Sequence, residues 1–275
     1  MVTLLLILSL LADPQLTVAA RVDAERAVER ARHEFVIGAT KPFDELYPRS
    51  FFEARVAREM AEEAVLRNAF GLSPSDNQLA QEFDRIERTT LAPEQWAAIK
   101  QALGNDRHLI EEVFCRPLLV ARALRSRFAF DPKIHAEPHL AARKARSLLM
   151  AGNDAPGAYV LLLRRRNTIA PTTDELLKEA KREASLPRVI RPPADIPANA
   201  PIAVDPELAT VLEKQLRRPG DVTTILEERD QFEVFRLIEA TNDTWKVLAV
   251  RVAKVDFEVW FAEARRALMI ERATD

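Results

Sequence analysis

The sequence predicts an α+β protein, with an N-terminal helical lobe, then a small mixed α/β domain, closed by a C-terminal helix. Two patterns predict it. Up to about residue 150, apolar residues recur at three- and four-residue spacing, with Pro, Ser and Gly at the breaks. Beyond residue 158, short runs alternate apolar and polar residues in the manner of half-buried strands. Composition agrees: 275 residues, 48% hydrophobic and 30% charged, suffice for one large or two ordinary domains with a proper core. The expected divisions are a signal segment at 1–20, the helical lobe at 21–152, the mixed domain at 153–253 and the closing helix at 254–275.

The chain opens with an apolar run, Leu4 to Leu11, interrupted only by Ser9. A bilayer span needs ~20 residues, so this run has the length of a signal-peptide core, with Ala12 or Ala19 and Ala20 near a cleavage point. Only the amino terminus supplies positive charge before it, and a buried first helix or strand is the alternative.

Phe52, Val56 and Met60 recur every four residues, followed by Val65, Leu66 and Phe70, and Gly71 provides a stop. Ser73-Pro74-Ser75-Asp76 reads as a new helix start: a hydroxyl cap, a proline in the first turn and an acid for the helix dipole. Leu79, Phe83 and Ile86 form its stripe. Pro93-Glu94 starts another helix, with Trp96, Ile99 and Leu103 inward and Gly104 at its end. Asn105 or Asp106 caps the next, which turns Leu109, Ile110, Val113 and Phe114 inward until Pro117 kinks or divides it. Arg143 to Met150 continues helical.

Tyr159 to Leu163 suits a buried strand, and a helix is expected from about Thr173 to Ala184. Leu186 to Pro206 carries prolines at 187, 192, 193, 197, 201 and 206 and reads as extended loop. A short helix from Pro206 to Leu216 precedes three strands, Asp221–Leu226, Phe232–Ile238 and Trp245–Val252. Asp256 to Glu271 closes the chain with Phe257, Trp260, Phe261, Ala264 and Leu268 on one face.

A net charge of -2 argues against bulk nucleic acid as a partner. Between Arg116 and Arg188 there are 15 Lys and Arg against 7 Asp and Glu, a net of +8, which reads as solvated helix faces or as a basic surface for an anionic partner. Cys115 is the only cysteine, so no internal disulfide forms. Its apolar neighbours Val113, Phe114 and Leu118 suit a packed thiol better than a nucleophile. Six glycines, at 38, 71, 104, 152, 157 and 220, assemble no GxGxxG, Walker-type loop or GxSxG elbow. No cofactor is expected.

Two stretches carry a resemblance. Val211 to Glu227, with Pro219-Gly220-Asp221-Val222 as its sharpest part, followed by Gln231-Phe-Glu-Val-Phe-Arg-Leu-Ile, resembles the last third of a parvulin-type (PpiC-like) prolyl-isomerase domain. There a helix passes through Pro-Gly-Glu/Asp-Val-Ser into a hairpin that ends in Gly-Tyr/Phe-His-hydrophobic-hydrophobic-Lys-Leu. Upstream, Phe83-Asp-Arg-Ile-Glu-Arg-Thr-Thr, Ala102-Leu-Gly-Asn-Asp and Glu111 to Val120 are similar to the helical lobe of SurA-like and PpiD-like proteins. In that family the lobe is the chaperone part and its polypeptide-binding surface is apolar. The resemblance covers about residues 70–130 and 155–270 and implies an exported, periplasmic protein whose partners are unfolded or extended polypeptides, with no nucleic acid and no stable membrane insertion.

Departures from the family pattern bear on function. Active parvulins resemble one another in two facing histidines on central strands and in a Gly-Gly-x-Leu-Gly loop. In this alignment Tyr159 and Glu233 take the histidine positions, and His33, His108, His135 and His139 all precede the small domain. Gly220 is the only glycine after Gly157, so the loop is missing too. Prolyl isomerisation crosses a barrier of ~18–20 kcal/mol, and without these groups little preorganised environment lowers it. The resemblance therefore implies an ATP-independent holding chaperone with no catalytic residues and lost isomerase activity. An active isomerase with an atypical site and a dedicated assembly scaffold are the alternatives.

Other candidates read as structural. His135 and His139 lie at i, i+4 but lack a third metal ligand. Trp96, Trp245 and Trp260 fall on apolar stripes, and Arg164-Arg165-Arg166 trails a strand and faces water.

Overall fold

The computed structural model describes residues 16–36, 41–164 and 202–274. The run Leu4–Leu11, the helix expected near Thr173–Ala184, the proline-rich stretch as far as Pro201, and Arg165 and Arg166 lie outside these residues. In chain order the helices are α1 (Val18–His33), α2 (Phe43–Leu46), α3 (Arg49–Phe70), α4 (Asp76–Thr89), α5 (Pro93–Ala102), α6 (Arg107–Ile110), α7 (Arg116–Ala129), α8 (Ala136–Met150), α9 (Pro206–Gln215) and α10 (Phe257–Thr274). The strands are β1 (Tyr159–Arg164), β2 (Ile202–Ala203), β3 (Leu226–Glu227), β4 (Gln231–Ala240) and β5 (Thr244–Ala253). The protein is α+β, and it divides into two compact units, Met1–Phe128 with Phe257–Asp275, and Ala129–Asp256.

In the helical unit the punctuation residues act where the sequence places them. Gly71 adopts φ 65° and its N–H bonds Arg67 O at 2.9 Å, closing α3. Asp106 caps α6 through Leu109 N at 3.1 Å. The start of α4 shifts: Ser75 is the cap, exchanging bonds with Gln78 in a capping box, and Pro74 stays outside the helix. Pro117 divides its helix by way of a π turn, Glu111–Cys115, whose wide loop lets Arg116 N reach Glu111 O just before the residue that lacks an N–H. One stripe turns away from the core. Phe52 and Val56 are buried but Met60 is 43% exposed. At 3.6 residues per turn a four-residue spacing drifts by about 40° per step, or about 80° from Phe52 to Met60.

Three clusters hold this unit together, one of them Val22, Phe43, Phe52 and Val56 from α1, α2 and α3. Val28, Trp96, Ile99, Ile110 and Val113 join α1, α5, α6 and the π turn. Val65, Leu66, Val120, Leu124 and Phe261 join α3, α7 and α10, with Phe257, Trp260, Ala264 and Leu268 packed against them as the closing-helix stripe predicts. Each fully buried Val, Leu or Phe contributes ~1.5–3 kcal/mol relative to exposure.

The other unit is a five-stranded sheet in the order β2-β1-β5-β4-β3, antiparallel except for the two-residue parallel pairing of β2 with β1. On one face Leu163, Phe235, Leu237, Trp245, Val247 and Ala249 pack against Ala209 and Leu212 of α9. On the other, Val234, Leu248 and Val250 pack against Ala145 and Leu149 of α8. The sequence reading groups this helix with the N-terminal lobe, but its apolar face covers the sheet. β1 is only half buried: Leu163 is enclosed, whereas Val160 on the opposite side is 53% exposed. The strand expected over Asp221–Leu226 shrinks to β3 and a bridge between Val222 and Arg236. Backbone bonds still join it to β4, from Thr223 N to Phe235 O and from Leu237 N to Asp221 O, both at 2.9 Å. Phe235 N also donates to Thr223 Oγ1 at 3.0 Å and Thr224 N to Gln215 Oε1 at 2.6 Å, so side chains take over part of the ladder.

Candidate functional site

The period-2 alternation of the strands puts Tyr159, Glu233 and Arg251 on the face that carries Phe235 and Ala249. Glu233 lies directly opposite Arg251 in the β4–β5 ladder, and its Oε1 accepts from Arg251 Nε at 2.5 Å and from Gln231 Nε2 at 2.7 Å. The Glu233 side chain is 6% exposed and that of Arg251 40%. The Arg251 guanidinium lies 5.7 Å from the centre of the Tyr159 ring. Tyr159 Oη is buried without a hydrogen-bond partner among the described residues. Burial raises the pKa of this phenol, with Arg251 opposing and the Glu233 carboxylate adding to the rise.

The two positions singled out by sequence thus share one face, but β5 runs between them and Arg251 occupies the interval. Sequence reading missed Arg251, although Trp245, Val247, Ala249 and Arg251 alternate and so share a face. The cluster offers a neutral phenol and a carboxylate satisfied by a guanidinium and an amide, with no activated nucleophile among them.

The remaining candidates separate. Cys115 is buried, and burial first, then the Glu82 and Glu111 carboxylates, push its thiol up to about 12. His135 is buried at the start of α8, whereas His139 is exposed and packs edge-on to Phe232 at 5.3 Å. His33 packs on Phe43 and Tyr47, and His108 lies exposed on α6. Trp96 and Trp245 are buried and Trp260 half-buried, and Trp96 Nε1 donates to Glu87 Oε2 at 2.6 Å. Among the described residues, no three His, Cys, Asp or Glu side chains gather as a metal site.

The helical unit carries a feature that the sequence reading did not single out. An apolar groove of about 380 Å3 is lined by Val18 of α1, Ala57, Met60, Ala61 and Ala64 of α3, and Arg265, Leu268 and Met269 of α10. Alanines at 57, 61 and 64 share one helix face, and their small side chains leave a trough beside α10. Met60 is 43%, Val18 52% and Met269 55% exposed, which makes a contiguous apolar patch. Across α3, Glu59 forms no hydrogen bond or ion pair among the described residues. Burial first, then the Glu25 carboxylate, push its pKa up to about 7 against Arg55 and Arg21.

No protein-family model matches the chain, and no curated protein or solved structure matches it either.

The arrangement itself therefore carries the functional reading. An open trough edged by flexible thioethers suits apolar side chains of varied shape. No described helix is long and apolar enough to cross a membrane.

Proposed function

We propose that this protein is an ATP-independent holding chaperone that keeps exported, extended polypeptides from aggregating, and that the groove on its helical unit takes their apolar side chains. The observation that carries this reading is the exposed groove edged by Met60 and Met269, whose thioether chains adapt to unlike partners. The sheet unit is, on this proposal, a degenerate parvulin-like domain, in keeping with the resemblance of its last third. Tyr159 and Glu233 stand where an active domain carries histidines, and the carboxylate is engaged by Arg251. With neither a histidine nor an unengaged base in the cluster, isomerase activity is lost.

The reading places the protein in the periplasm or another exported location. Leu16 packs against the helical core and Thr17 Oγ1 caps α1 by accepting from Ala20 N at 3.2 Å. Cleavage after Ala20 would remove that first turn, so a junction at Ala12 is the one that leaves α1 whole.

Paired assays test the proposal. Aggregation of two unrelated unfolded proteins should be suppressed at near-stoichiometric amounts, while a proline peptide isomerises at its uncatalysed rate. Isomerisation at the rate of a true parvulin would restore the enzyme reading. Suppression of one client but not the other would point to a scaffold for a fixed partner.

A further inference from the structure

The groove of the helical unit is a concave apolar surface without a covering element among the described residues, and the chain carries a segment suited to it. Leu4 to Leu11 is apolar except for Ser9, and only Ala12 to Thr17 separate it from Val18, which itself forms one edge of the groove. Six extended residues span at most about 20 Å, so the segment is tethered at the mouth of the trough. Pro14 has no backbone N–H and disfavours helix for Asp13 before it.

Charge agrees with this placement. Asp13 is the only charged side chain in residues 1–15, and Arg265, on the rim of the groove, makes no ion pair among the described residues. Size agrees as well, since about 380 Å3 lies within the range of pockets that enclose a small ligand and here would accept a few leucine side chains.

We infer that the segment Leu4–Leu11 docks in the groove formed by α3, α10 and Val18 of the same molecule and so blocks it against polypeptide clients. A tether this short gives an effective concentration in the millimolar range, so weak apolar contacts suffice to keep the groove filled. Removal of the segment, at Ala12 or thereabouts, opens the groove. The inference rests on the holding reading for its consequence, though not for the docking itself.

Two measurements on the full chain separate these. A photo-reactive benzophenone residue replaces Leu6, the dilute protein is irradiated, and the linked peptides are mapped by mass spectrometry. Links to residues 57–64 or 265–269 within one molecule are expected. Links to another surface, links between two molecules, or no link would overturn the docking. In parallel, an unfolded client is titrated with the full chain and with a chain beginning at Asp13. The shorter chain should bind about tenfold more tightly, and Met60→Glu should abolish the difference. If both chains bind the client equally, the block is refuted while the holding reading stands. If neither binds any client but the links map to the groove, the docking stands and the holding reading fails.

Discussion

In the sheet unit both faces of the sheet are covered, by α9 on one side and α8 on the other. Its buried charged groups, Glu233 and Lys254, are paired, while Tyr159 Oη has no partner among the described residues. Glu233 is held by Arg251 and Gln231. Lys254 Nζ, on a side chain 1% exposed, donates to Ala129 O at 2.6 Å and to Glu227 Oε1 at 2.8 Å between the rings of Phe130 and Phe232. The helical unit is arranged otherwise. It leaves Val18, Met60 and Met269 open along a trough, and it keeps Glu59 half-buried without an ion pair among the described residues. The sheet unit also exposes single apolar residues, Met150 and Val160 among them, but the groove edged by Val18, Met60 and Met269 lies in the helical unit. So does Glu59, whose carboxyl is pushed up to about 7.

The contrast can be broken first at the packing. Phe235 is 1% exposed at the centre of the sheet core, and Phe235→Ala should destabilise the protein by about 3–5 kcal/mol. Urea unfolding followed by circular dichroism reads the loss. A change under 1 kcal/mol would mean that the sheet is not packed as described.

Next comes the buried lysine. Lys254→Met leaves the Ala129 carbonyl and the Glu227 carboxylate without their ammonium partner and should cost about 1–3 kcal/mol. An unchanged urea midpoint would show that both acceptors find other donors.

The pH response should come from the helical unit. The carboxyls of Glu59, at about 7, and of Glu25 have folded-state pKa values raised above 4.5. The folded state therefore holds their protons more tightly than the unfolded state, and the stability they contribute is full below about pH 4.5 and lost as pH rises through 7. Solvent screening of the half-buried group limits this to about 1–2 kcal/mol. Glu82 acts in the opposite sense: the bonds from Arg85 and Arg122 lower it to about 2, and its contribution is lost only as pH falls through that value. Urea midpoints should rise from pH 7.5 to pH 5, and Glu59→Gln should flatten that rise. An equal slope in the variant would reassign the titration to another group.

The smallest effect lies at a helix end. Ser75→Ala removes the capping box of α4 and should cost ~1 kcal/mol, read as a lower thermal midpoint.

Much of the α+β fold was legible because it is written in local chemistry. Gly71, Pro93 and Asp106 fix helix ends through backbone geometry, and those act whatever the tertiary context. Periodicity was less complete. It identifies the 143–150 segment as helical but not which surface its apolar stripe covers, and it let Met60 pass for a core residue. The alternation of Asp221–Leu226 resembles a strand, yet Thr223 and Gln215 supply side-chain bonds that no pattern of apolar residues announces. At the sheet cluster, Tyr159 and Glu233 were named but Arg251 was not, because an arginine at the end of an apolar alternation reads as the strand leaving the core. The groove was hidden for a similar reason. Ala57, Ala61 and Ala64 look like ordinary helix formers until α10, remote in sequence, is laid beside them.

The groove of the helical unit is proposed to hold apolar segments of other polypeptides. The most direct test is suppression of aggregation by the doubly substituted Met60→Glu/Met269→Glu protein, in the chain beginning at Asp13, against the unsubstituted chain. Both side chains are largely exposed, so folding should survive, and circular dichroism verifies it. Suppression should fall at least tenfold while the fold is retained. Suppression undiminished in the folded variant would contradict it and move the client surface away from α3 and α10.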